Sequence, residues 1–273
     1  MGKRVISGAL LVIVALAVII PGGYILAGVS LILSLIAYKE LTKCCGLAQE
    51  GVLVSALEAV GGLSIIAYYV VMVFVKDRTF LFLTLFLILM AFMFVYVFTF
   101  PKFNAKDIMM SVFCVFYGPL MLSFIYLTRE LENGAYAVWM IFISSWICDT
   151  FAYFVGVLIG KHKMAPVLSP KKSIEGAVGG VLGAAVIGGL FAFFLIEKTI
   201  PNQKVTWAFV LIASLGAVIS QVGDLAASGI KRNFEIKDYG KLIPGHGGVM
   251  DRFDSVIFTA PLIYFLTLLL IHG

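Results

Sequence analysis

Long apolar runs recur from one end of this 273-residue chain to the other, and that recurrence constrains the fold more than any other feature. With 62% hydrophobic and only 13% charged residues, the chain does not read as a water-soluble globular domain. Inside a bilayer an unpaired backbone amide or carbonyl is too costly to keep, so a crossing segment is a helix of roughly 17 to 25 mostly apolar residues. Runs at about residues 5–20, 24–38, 52–75, 80–100, 108–127, 136–160, 176–196, 205–227 and 255–271 supply about nine such helices. The expected fold class is all-α, a polytopic integral membrane protein.

The first two runs are short for full crossings and are joined by Pro21, Gly22 and Gly23. They read as two spans or as a partly inserted helical hairpin, and the later topology is the same either way. The basic start and apolar run of residues 1–20 also resemble a secretory signal, but apolar segments continue directly after them, which favours a span.

With the amino terminus in the cytoplasm, Lys3, Arg4, Lys39, Lys43, Lys102, Lys106, Lys161, Lys163, Lys171, Lys172, Lys231, Arg232, Lys237, Lys241 and Arg252 face inward. Only Lys76, Arg78, Arg129, Lys198 and Lys204 face outward, the asymmetry that the positive-inside rule expects. The net charge of +5 then reads as a topology signal and as attraction to anionic headgroups, with no nucleic-acid partner implied. Cys44, Cys45, Cys114 and Cys148 lack zinc-ligand spacing and read as small apolar fillers.

Residues 1–130 carry little chemistry and read as a transmembrane scaffold. Glu58, about one turn into the third run, reads as an acid snorkelling to the interface. Residues 131–273 read as the catalytic region. Asp149 lies far from either end of its run, and Gln221, Asp224 and Ser228 share a helix face because residues three and four apart are neighbours. Ionisable groups at such depth are functional candidates by default. The run "GAVGGVLGAAVIGG" reads as close helix packing through small residues.

Asp149, Glu175, Asp224, Asp251 and Asp254 fall within or beside the inward ends of the last four spans, interleaved with Lys171, Lys172, Lys231, Arg232 and Arg252. Acids alone suggest an ion site. Acids among cations suggest a metal and an anion together, since carboxylates hold Mg²⁺ while cations clamp phosphate oxygens. Asp224 and Asp251 are the first candidates as ligands. In "LIPGHGGVMDRFDS" the glycines Gly245, Gly247 and Gly248 permit close backbone approach and an anion nest, although the run is neither a Walker A loop nor a dinucleotide fingerprint. His246 reads as a phosphate contact, a proton-transfer group or a partner of turn carbonyls. Ser173 is positioned to cap the helix that follows it.

The string Ser228, Lys231, Arg232, Lys237, Asp238, Gly240, Pro244, His246, Gly247, Gly248, Asp251, Arg252 and Asp254, with "CDTFAYFVGVLIGKHKMAPVLSPKKSIEG" upstream, resembles the bacterial integral-membrane phosphatidate cytidylyltransferases, or CDP-diacylglycerol synthases. The resemblance covers about residues 148–255. It implies transfer of a cytidylyl group from CTP to phosphatidic acid, with Mg²⁺ in a two-metal site whose second cation is undefined. Asp224 and Asp251 would be ligands, with Asp149 and Asp254 as further candidates. Lys231, Arg232, Arg252 and His246 would act in catalysis. Lys171, Lys172, Glu175, Ser228, Lys237, Gly247 and Gly248 would bind substrate. It also implies the cytoplasmic (inner) membrane, an active site on the cytoplasmic side, and a homodimer, for which the glycine-rich spans are candidate contacts unless they pack within one subunit.

Two other classes compete. CDP-alcohol phosphotransferases also act on lipid phosphates, but their DxxDGxxAR run is absent. An ion-coupled transporter would use Asp149 and Asp224 as coupling sites and would show symmetry between halves. A purely structural scaffold leaves the intramembrane acids unexplained.

Overall fold

A computed structural model of the protein describes residues 2–47, 54–199, 205–242 and 247–271. Its helices are α1 (Gly2–Ile19), α2 (Gly23–Cys44), α3 (Ala56–Val75), α4 (Arg78–Thr99), α5 (Ala105–Arg129), α6 (Gly134–Ile159), α7 (Ile174–Ile196), α8 (Thr206–Asn233) and α9 (Met250–Ile271). Among the described residues, α2 to α9 are eight helices long and apolar enough to cross a membrane. The chain is an all-α polytopic membrane protein. At about 1.5 Å per residue, the 22 residues of α2 extend about 33 Å, enough for a full crossing. A turn with positive φ at Gly22 and Gly23 separates α2 from the 18-residue α1.

Most helices outrun the apolar stretches that predict them. Hydropathy registers only the lipid-facing length, whereas a helix continues into polar flanks wherever its end groups find partners. Asp77 accepts the Thr79 N–H at 2.7 Å and Ser173 caps α7 by accepting the Gly176 N–H at 3.2 Å. Asn104 and Asp107 form a reciprocal capping box at α5. Ser55 and Glu58 form another at α3, where Glu58 accepts the Ser55 N–H at 2.8 Å and Ser55 Oγ accepts the Glu58 N–H at 3.2 Å. Because α3 starts at Ala56, Glu58 lies in its first turn and is committed to the cap; the snorkelling expected of it is replaced by a local bond.

Four of the spans contain a π-helical turn, at Val71–Val75, Phe116–Leu120, Ile143–Ile147 and Ala192–Ile196. Such a turn widens the helix by one residue and rotates everything beyond it. The loop between α6 and α7 forms a small antiparallel hairpin, β1 (Lys163–Ala165) with β2 (Ser169–Ser173), which hydropathy does not reveal.

By contacts the chain forms two compact units: residues 1–126 with 234–252, and residues 127–233 with 253–273. In the first, α2 is the anchor. Tyr38 donates its hydroxyl to the Leu57 carbonyl at 3.1 Å, and Ser34 Oγ meets Tyr69 Oη at 2.8 Å and donates to the Pro119 carbonyl at 3.2 Å within the π turn of α5. Cys45 Sγ lies 3.8 Å from Cys114 Sγ, and that contact, with burial, pushes the Cys45 thiol up to about 12, so it stays protonated and inert.

In the second unit, α6, α7 and α8 pack through small residues. A Cβ on Gly180 would sit 2.8 Å from the Cys148 carbonyl oxygen, and one on Gly176 would sit 2.6 Å from that of Ala152. Gly188 is equally closed by Ala213 and Met140. The glycine-rich face of α7 is thus used inside the chain.

Candidate active site

The π turn at Ile143–Ile147 ends immediately before Cys148 and Asp149, so it sets where both point. Cys148 turns inward and is fully buried; its thiol contacts the Ala217 carbonyl of α8 at 3.7 Å. Asp149 lies on the exposed side of α6. Gln221 ties the three helices together: its Nε2 donates to the Ala177 carbonyl of α7 at 3.0 Å and approaches Cys148 Sγ at 3.5 Å. Asp224 follows on α8 and remains partly exposed, and Ser228 Oγ donates to its Oδ1 at 3.5 Å.

Alternation along β2 sends neighbouring lysines to opposite sides. Lys172, partly buried, forms an ion pair with Asp224 Oδ2, while Lys171 is exposed. Asp254, partly buried on α9, is within electrostatic reach of Asp224, Lys231 and Asp149. This unit therefore gathers Asp149, Asp224 and Asp254 with Lys172 and Lys231. Arg232 is exposed at the end of α8.

Glu175 has a different neighbourhood. From the first turn of α7 it accepts the Lys161 N–H at 3.1 Å and the His162 N–H at 3.2 Å, and it pairs with His162 Nδ1. These bonds fasten the end of α6 to the start of α7, which gives His162 a defined partner.

In the other unit, the start of α9 is held by two carboxylates. Asp251 Oδ2 accepts the Tyr239 N–H at 2.8 Å and the Gly248 N–H at 2.9 Å. Glu40, from α2, accepts the Val249 N–H on Oε1 at 3.0 Å and the Met250 N–H on Oε2 at 2.9 Å. The first amides of a helix lack intrahelical acceptors and carry its positive pole, so they suit anions. Gly247, with φ +83°, lets the chain turn against Asp251: a Cβ there would lie 2.6 Å from Asp251 Oδ2. The Gly248 amide, a candidate phosphate donor by sequence, is thus directed at Asp251. Lys237 is exposed and Arg252 partly so. His246 lies outside the described residues.

Glu40 is the site-forming residue that sequence reasoning misses. The available signal is an acid between Lys39 and Lys43 on a helix that does not stop at residue 38.

Among the described residues no three acidic, histidine or cysteine side chains close into a metal cage. The acids near Asp224, Asp149 and Asp254, offer hard carboxylate oxygens beside the Ser228 hydroxyl, and Mg²⁺ usually takes only one or two protein carboxylates, leaving other positions to water and phosphates. The residues present fit that ion.

Comparison with known proteins bears on the whole chain. The sequence model described as "Cytidylyltransferase family" matches residues 2–270. A protein named phosphatidate cytidylyltransferase from Staphylococcus saprophyticus is 31% identical over 270 residues, 96% of this chain and 97% of that one. Proteins of the same name from Staphylococcus epidermidis (30% over 265 residues) and Staphylococcus aureus (31% over 269 residues) each align over 96% of this chain and 97% of their own length. This chain belongs to the cytidylyltransferase family.

Proposed function

We propose that the protein is a phosphatidate cytidylyltransferase. A phosphate oxygen of phosphatidic acid bonds to the α-phosphorus of CTP, the bond from that phosphorus to the bridging oxygen breaks, and CDP-diacylglycerol and pyrophosphate result. The observation that carries this reading is the gathering of Asp224, Asp254, Lys172 and Lys231 on spanning helices and the hairpin beside them. A diacyl chain stays in lipid while a triphosphate stays in water, so such an enzyme needs charge at the end of apolar helices.

The nucleophile asks little of a base, because a phosphate monoester has its second pKa near about 6 and is largely dianionic at neutral pH. Alignment and charge neutralisation are then the main tasks. Lys172, Lys231, Arg232 and Arg252 would hold phosphate oxygens and the charge that develops on pyrophosphate. Lys172 serves Asp224 until an anion arrives. Lys171, Lys237, Ser228 and the Gly247–Gly248 turn are assigned to substrate positioning, Glu175 to ordering the hairpin that carries the lysines, and His246 to contact with phosphate.

Mg²⁺ is the assigned cofactor, with Asp224 and Asp251 as its first ligands and Asp149 and Asp254 as further ones. An aspartate has more than one acceptor oxygen, so two amides on Asp251 Oδ2 do not exhaust it. When bound, the ion would supply positive charge to triphosphate oxygens. We place the charged helix ends on the cytoplasmic side of the inner membrane, where CTP is, on the strength of the basic-residue asymmetry. The assigned assembly is a homodimer, with contacts other than the glycine face of α7.

The test is transfer of label to lipid by purified protein. Label at the α-phosphorus of CTP should enter the organic phase with phosphatidic acid, and label at the γ-phosphorus should remain in water. Appearance of γ-label in lipid would replace cytidylyl transfer with lipid phosphorylation.

A further inference from the structure

Two glycines of the charged stretch have no room for a side chain, and the same residue closes both. A Cβ on Gly240 would lie 2.2 Å from Glu40 Oε1, and one on Gly248 would lie 2.3 Å from Oε1 and 2.5 Å from Oε2. Gly240 and Gly248 are also neighbours, the first glycine's Cβ position being 3.1 Å from the second's Cα. The Glu40 carboxylate therefore sits where the two ends of segment 240–248 meet, and it accepts the next two amides, of Val249 and Met250.

Its support is closely packed. Ala37, Tyr38 and Leu41 surround it on α2 and are buried, and Gly118 in the π turn of α5 lets Leu41 and Met250 approach: a Cβ there would meet both, at 3.0 Å and 3.4 Å. Glu40 itself is only 9% exposed. Among the described residues its carboxylate accepts from the backbone amides of Val249 and Met250, so it acts by holding the chain.

We propose that Glu40 is the positioning residue of the reaction: it fixes the neck of segment 240–248 and the start of α9, and so the orientation of Asp251, which shares that turn through the Gly248 amide. This rests on the cytidylyltransferase reading. A carboxylate matches two adjacent amides with two acceptors; an amide side chain offers one acceptor and turns a donor toward the other N–H.

The experiment is a mutational cycle on the full chain in detergent, read by pyrophosphate release from CTP and phosphatidic acid. Activity of the unmodified protein is the prior control, and its absence would sink the functional reading and leave the role of Glu40 to the proteolysis readout. Glu40→Gln should lower kcat about 10- to 100-fold, the scale of a group displaced by about 1 Å. Tryptic cleavage after Lys241, exposed beside the neck, should accelerate severalfold while the unfolding temperature stays within a few degrees. Gly248→Ala should lower the unfolding temperature in the unmodified chain and lower it much less in Glu40→Ala, because the clash has gone. Unchanged kcat and cleavage in Glu40→Gln would overturn the proposal, as would unfolding-temperature losses from Glu40→Ala and Gly248→Ala that simply add. If Glu40→Ala does not fold, Glu40→Gln decides alone.

Discussion

The Lys172 ammonium is ion-paired with the Asp224 carboxylate, which ties strand β2 to helix α8. The lysine thereby neutralises an acid on a spanning helix and stays beside the position where a phosphate is expected. Lys172→Ala should lower turnover on the order of 100-fold, the loss typical of removing one preorganised charge donor. Lys172→Arg should recover part of it, and Lys171→Ala, on the exposed side of the strand, should cost much less. Initial rates of pyrophosphate release check all three.

Asp224→Asn and Asp251→Asn should each remove several kcal/mol of transition-state stabilisation, about 1,000-fold in rate, with folding retained. Asp254→Asn and Asp149→Asn should be milder and should raise the Mg²⁺ concentration needed for half-maximal rate. Turnover near normal in any of these variants would take that carboxylate out of the proposed metal site.

The spans and the gathering of Asp149, Asp224 and Asp254 are legible in the sequence because hydropathy and intramembrane charge are local properties. The pairing of Lys172 with Asp224 is half legible: both residues stand out, but which lysine meets the acid depends on the strand alternation of a hairpin too short to show a period. Glu40 is barely legible. Hydropathy falls at Lys39, Glu40 and Lys43, which puts the helix end before it, and its partners are backbone amides far along the chain, which leave no trace in side-chain identity. Beyond its place between Lys39 and Lys43, the remaining hint is that Gly240 and Gly248 are glycines, and a glycine does not name the residue that fills its missing side chain. Glu58 differs for a smaller reason: placing the start of its helix a few residues early moves an acid that caps the first turn about one turn into the span, from which it would have to snorkel.

Gly180→Val should destabilise the protein by about 1 to 3 kcal/mol or more, because its side chain would overlap the Cys148 carbonyl and thiol. Gly28→Ala should have no such effect, since nothing lies within 4 Å of the added carbon. Thermal unfolding of the two variants in the same detergent makes the comparison.

Glu58→Ala should cost about 1 kcal/mol of stability through loss of the capping box and leave the kcat of the folded protein unchanged. A selective loss of kcat at unaltered stability would instead make this acid a functional group.

The most direct measurement is pyrophosphate release by the purified protein with phosphatidic acid, Mg²⁺ and each of the four ribonucleoside triphosphates in turn. The account predicts release that requires CTP, lipid and metal together and that nearly vanishes in Asp224→Asn. Release from any triphosphate without lipid, or none from demonstrably folded protein across lipid chain lengths and divalent metals, would contradict it.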